Sequence, residues 1–101
     1  MLDLDLLRSI ATQLISGERV ELKGKTLRVG RTQQKRLKAV NFTMNGRNYQ
    51  AIEQNPEKLS AWGRLAQAGH QVVQFKDVQR NKFVAVAVDG EVKEYGKMGR
   101  R

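Results

Sequence analysis

The sequence predicts a single α+β domain in which two helices pack on a twisted, mainly antiparallel sheet, with the element order α-ββββ-α-βββ. Three observations predict it. Apolar residues recur at helical spacing in two segments, alternation of period two fills most of the remainder, and Asn45-Gly46 and Asp89-Gly90 punctuate β-like runs. With 101 residues, 40% hydrophobic and 29% charged, the chain can build one modest core and is too apolar for a disordered tail. Residues 1–96 are read as the domain and 97–101 as a flexible basic tail.

Leu4, Leu7, Ile10, Ala11 and Leu14 form the stripe of a first helix over residues 4–16, with Asp3 and Asp5 at its positive end. Gly17 stands where a left-handed C-terminal cap is expected. From Arg19 the period becomes two: Val20 and Leu22 alternate with Arg19, Glu21 and Lys23, and Leu27 and Val29 with Thr26 and Arg28, which predicts a hairpin turning at Gly24-Lys25. Residues 30–36 contain no apolar side chain and read as a basic loop.

Asn45-Gly46 fits a two-residue type I′ turn, because both residues tolerate positive φ. Such a loop sets the register: Met44 faces Arg47, Phe42 faces Tyr49 and Val40 faces Ala51, while Asn41, Thr43, Asn48 and Gln50 share a polar face. Asn55-Pro56-Glu57 then signals a helix start, with Ser60 as a rival cap. Leu59, Trp62, Leu65 and Ala66 make the stripe of this second helix, Gly69 ends it, and Gly63 within it points to a close backbone approach to the sheet. Val72 to about Val78 is a strand, Gln79-Arg80-Asn81 its turn, and the apolar run Phe83–Val88 a central strand that returns through Asp89-Gly90 as residues 91–95.

Charge is concentrated. Of a net +9, residues 19–38 supply +7: Arg19, Lys23, Lys25, Arg28, Arg31, Lys35, Arg36 and Lys38 stand against Glu21 alone. The tail adds Lys97, Arg100 and Arg101, while residues 39–96 carry only +1. A surface built for solubility mixes both signs, whereas twenty residues nearly without acids form a patch suited to phosphates, whose neutralisation releases condensed counterions. These eleven cations are the candidate nucleic-acid-binding residues; Asn41, Thr43, Asn48 and Gln50 read first as ordinary residues of a solvated face, with polar contacts to bases or sugars as the alternative. Phe42, Tyr49 and Trp62 read as core residues and Tyr95 as the exposed aromatic.

No catalytic or cofactor pattern accompanies the charge. Cysteine is absent, which excludes disulfides and thiolate metal sites, and neither G-x-G-x-x-G nor G-x-x-x-x-G-K-[ST] occurs. His70 is the one histidine, follows the helix-ending Gly69, and reads as a cap-region residue. Two acids near Met1 and the lack of a membrane-length apolar run predict a native start and a cytoplasmic protein that takes no cofactor or metal and meets no membrane. The expectation is a non-enzymatic protein that binds RNA or DNA. The alternative is an adaptor that binds an acidic protein through the same patch, or accepts a partner strand at a sheet edge.

Overall fold

The computed structural model describes residues 2–33 and 36–97. Helix α1 spans Leu4–Ser16, and its stripe of Leu7, Ile10, Ala11 and Leu14 is buried. The Asp3 carboxylate accepts the Leu6 N–H at 3.1 Å and so caps the first turn. At the other end Gly17 is extended (φ −156°), not left-handed as its position suggested. The reason lies in Lys38, whose ammonium donates to the Leu14, Ile15 and Gly17 carbonyls and satisfies the groups a left-handed cap would have served.

Strands β1 (Arg19–Leu22) and β2 (Lys25–Arg28) form a separate two-stranded sheet. Their turn is Lys23-Gly24, both at positive φ, one residue earlier than the sequence reading. A type I′ turn favours glycine in its second place, and here Lys23 takes the first place that Asn45 and Asp89 hold in the hairpins turning at 45–46 and 89–90. The Gln13 amide holds this sheet to α1 by accepting the Glu21 N–H at 2.7 Å and donating to the Glu21 carbonyl at 3.2 Å, as a neighbouring strand would.

The main sheet has six strands in chain order: β3 (Gly30–Arg31), β4 (Lys38–Met44), β5 (Arg47–Glu53), β6 (Val72–Asp77), β7 (Lys82–Val88) and β8 (Glu91–Glu94). Every neighbouring pair is antiparallel. The architecture is α+β as expected, with one strand more than the sequence showed: Gly30 and Arg31, read as loop, pair with Ala39 and Lys38. Two residues lacking apolar side chains give no alternation to detect.

The β4–β5 register is the expected one, with Phe42 opposite Tyr49 and Thr43 opposite Asn48. Phe42, Tyr49, Ala51, Val73, Phe75, Ala85 and Ala87 line the sheet face under α1, and Val20, Leu22 and Val29 close the same core. Val86 points the other way and is fully buried, so mid-β7 is covered on both faces, although Phe83 at its start is 44% exposed. A bulge explains that end: Phe75 pairs with Ala85 but Lys76 with Phe83, leaving Val84 as an extra residue.

Helix α2 is short, Ala61–Gln67, and Ser60 is its cap, its hydroxyl accepting the Gly63 N–H at 3.1 Å. Asn55 instead makes an Asx turn to the Glu57 N–H, so Asn55-Pro56-Glu57 precedes the helix. Leu59 therefore falls outside it and is 94% exposed. Gly63 does mark a close approach, but to the Lys58 carbonyl and not to the sheet: a Cβ there would lie 2.0 Å from that oxygen. Gly69 ends α2 at φ +105°, with its N–H on Ala66 and that of His70 on Leu65. A 3-10 turn over Tyr95–Lys97 follows β8.

Candidate nucleic-acid interface

The hairpin register sorts the predicted cations onto different surfaces. Arg19 and Arg28 are directly opposed, exposed, and on the face that carries Glu21 and Thr26. Like charges directly opposed across a strand pair destabilise it, so packing gives no reason for this arrangement. The Glu21 carboxylate accepts the Thr26 hydroxyl at 2.8 Å, and neither arginine has an ion-pair partner among the described residues. Their charge is available to an anion.

Lys23, in the turn, and Lys25, opposite Leu22, line a groove of about 620 Å³ between this hairpin and the β4–β5 hairpin. Its other wall includes Asn41, Thr43 and Asn48, with Leu22, Leu27 and Val78 as apolar surface. The expected polar residues thus stand beside the cations. Asn41 also lines a smaller recess, about 210 Å³, with Arg28, Arg31 and Gln50. It joins the two depressions into one band that runs from the hairpin tip onto the exposed sheet face.

Part of that band is open main chain. In a two-residue hairpin the pair flanking the turn exchanges hydrogen bonds and the next pair does not, so Met44, Phe42 and Val40 bond β5 while Thr43 and Asn41 direct N–H and C=O outwards. Strand β3 reaches only Ala39, and no strand among the described residues pairs with Asn41 or Thr43.

Other predicted cations behave differently. Arg31 lies 3.9 Å from the Glu18 carboxylate and donates to the Arg36 carbonyl at 3.3 Å. Arg36 is exposed, at φ +54°. Lys38 is turned inwards onto α1 and is a helix-capping residue, removed from any surface patch. Lys35, Arg100 and Arg101 lie outside the described residues, as does the side chain of Lys97.

Two residues join the face that the sequence reading had left out. Lys76, opposite Gln50, is a half-buried cation with no ion-pair partner among the described residues. It comes from the nearly neutral part of the chain, and only strand register brings it beside Asn41 and Gln50. Phe83 follows it on β7. Tyr95, expected to be exposed, is half-buried: its hydroxyl donates to the Gln74 amide oxygen and its ring meets Trp62 edge-on at 6.4 Å. Burial raises its pKa above the ordinary phenol value. His70 is held in the mouth of the β7–β8 turn, with Nδ1 2.7 Å from an Asp89 carboxylate oxygen.

No helix among the described residues is long and apolar enough to cross a membrane. Compared with known proteins, the chain matches no family model, no curated protein and no solved structure.

Proposed function

We propose that the protein binds nucleic acid through its phosphates, using the β1–β2 hairpin and the adjoining polar face of β4 and β5, without catalysing a reaction. The observation that carries this reading is the opposed pair Arg19 and Arg28, two exposed arginines without an ion pair to any carboxylate among the described residues. An arrangement unfavourable to the hairpin alone becomes favourable when a phosphate lies between the guanidinium groups. Lys23 and Lys25 extend the positive surface along the groove, and Arg31 extends it along the recess. Asn41, Thr43, Asn48 and Gln50 offer donors and acceptors to sugars and base edges.

The test is binding of labelled oligonucleotides across a salt series. With about four phosphates neutralised, the slope of log K against log salt is near −3 to −4. Replacing Arg19, Lys23 and Arg28 together by Ala flattens that slope and weakens every sequence alike, since phosphate contacts do not read bases. A wild-type protein without salt-sensitive binding, or a folded triple variant that binds as tightly, refutes the reading.

The open main chain of Asn41 and Thr43 favours one alternative, addition of an acidic extended peptide as a strand in the groove under Lys23 and Lys25. In that case an acidic peptide competes with the oligonucleotide, and Thr43→Pro, which removes an outward N–H, abolishes peptide binding.

A further inference from the structure

A row of side chains crosses the exposed sheet face from one end of the band to the other. The registers place Asn41 opposite Gln50, Gln50 opposite Lys76 and Lys76 opposite Phe83. Three inter-strand steps make this row about 14 Å long. Arg28 and Arg31 stand at its β4 end, in the recess they share with Asn41 and Gln50. At its β7 end Phe83 opens onto a cleft of about 380 Å³ lined also by Trp62, Tyr95 and Ile52.

The cleft has walls of mainly apolar surface, interrupted by Glu53, Lys58 and Ser60, and a floor that is hydrogen-bonded within itself. Gln74 accepts the Tyr95 hydroxyl and donates to the Gln54 amide oxygen at 2.8 Å, and Gln54 donates to the Asn55 carbonyl at 3.2 Å. The amides are occupied with one another. Besides Glu53 and Lys58, the lining offers a ligand aromatic surface, and Phe83, at 44% exposure, is the ring that offers most. The bulge at Val84 sets it there, since it shifts the pairing of β7 by one residue just after Phe83.

Cations, amides, a cation again and an aromatic cleft form the order of contacts that a nucleic-acid strand presents when a base leaves its stack: phosphates along the path, a π-face at the end. We propose that the cleft between Phe83 and Trp62 receives one unstacked base of a single strand whose phosphates are held by Arg28, Arg31 and Lys76. This rests on the nucleic-acid reading and adds to it the class of ligand, because a base paired inside a duplex cannot present its face to Phe83. Recognition is tolerant of sequence, since every base has a π-face and the polar groups of the floor are engaged.

Trp62 is the only tryptophan of the chain, so its fluorescence reports on the cleft alone. Labelled oligothymidine, oligouridine and a duplex, each about 12 nucleotides long, are titrated at low salt while label anisotropy and Trp62 emission are followed together. Both single strands raise the anisotropy and quench Trp62, and they bind within a few-fold of each other because neither stacking nor phosphate contact reads the 2′-hydroxyl. The duplex binds more weakly and leaves Trp62 unquenched. Phe83→Ala weakens single-strand binding by about 5- to 140-fold with the salt slope and melting temperature unchanged, and Phe83→Tyr restores it. Salt-sensitive binding with Trp62 unquenched and Phe83→Ala as tight as wild type overturns the cleft and leaves the phosphate reading standing. No anisotropy change with any of the three oligonucleotides overturns both.

Discussion

The Lys38 ammonium lies 3.1 Å from the Ile15 carbonyl oxygen and caps α1 from across the core. A cation at a helix C-terminus stabilises by about 0.3–1 kcal/mol when exposed and up to about 2 in partly buried geometry. Lys38→Met keeps the packing of the stem and removes the charge. It is expected to destabilise by about 1–2 kcal/mol in denaturant melts and to leave the salt slope of oligonucleotide binding unchanged.

Arg19 and Arg28 should behave in the opposite way. Arg28→Thr removes a like-charge opposition and is expected to raise stability by about 0.2–1 kcal/mol while weakening oligonucleotide binding. Melts and anisotropy on the same variant check both directions. A merely solvated arginine would give the first effect without the second.

Phe42 stacks on Tyr49 with ring centroids 5.8 Å apart and meets Phe75 edge-on at 6.3 Å. Phe42→Ala is expected to lose about 3–5 kcal/mol. Its chain neighbour Thr43 is on the exposed face, and Thr43→Ala should change stability by less than about 0.5 kcal/mol. Equal effects would contradict the register.

In a helix interior Gly→Ala normally stabilises by up to about 1 kcal/mol. At Gly63 the sign reverses, because the new methyl group would meet the Lys58 carbonyl at 2.0 Å. Gly63→Ala is expected to destabilise by about 1–3 kcal/mol, read as a lower melting temperature, and to alter Trp62 emission as the start of α2 shifts.

Asp89 accepts from the His70 ring and the Gln71 N–H, and these bonds, the His70 one foremost, hold its pKa below the ordinary carboxylate value. A depressed folded pKa means stability that is present above the unfolded value of about 3.9 and lost as pH falls through the folded one. Asp89→Asn preserves the positive-φ turn and removes the titration. The difference in melting temperature between wild type and variant should therefore shrink as pH falls below about 4.

Much of the fold was legible because its signals are local. Asn45-Gly46 determines which residue faces which for six positions on either side, and the alternation around it agrees. Leu4–Leu14 give α1 both its length and its buried face. One loss came where a partner distant in sequence decides, since Gly17 needs no left-handed turn because Lys38 arrives from β4; another came where two local signals compete, and Ser60 wins over Asn55 because its hydroxyl reaches the Gly63 N–H. For the candidate site, Arg19 and Arg28 could be placed from charge and alternation, whereas Lys23, read as a strand position, belongs to the turn. Lys76 and Phe83 could not, since their adjacency to Gln50 exists only through the β5–β6 and β6–β7 registers and a bulge that no residue type announces.

The sheet order of the large sheet repeats chain order, and this has a kinetic meaning. Each strand finds its neighbour across a short stretch of chain, with α2 the one sizeable interruption, so the sheet can zip hairpin by hairpin without waiting for distant segments to meet. Helix α1 is the exception. It lies against β1, its neighbour in the chain, but also against β4, β5, β7 and β8, so its docking surface is complete only when the last strands are in place. Until β8 has formed, the stripe of Leu7, Ile10 and Leu14 has no complete surface to cover it. The closing of α1 over a finished sheet is then the step that removes this apolar stripe from exposure to other chains.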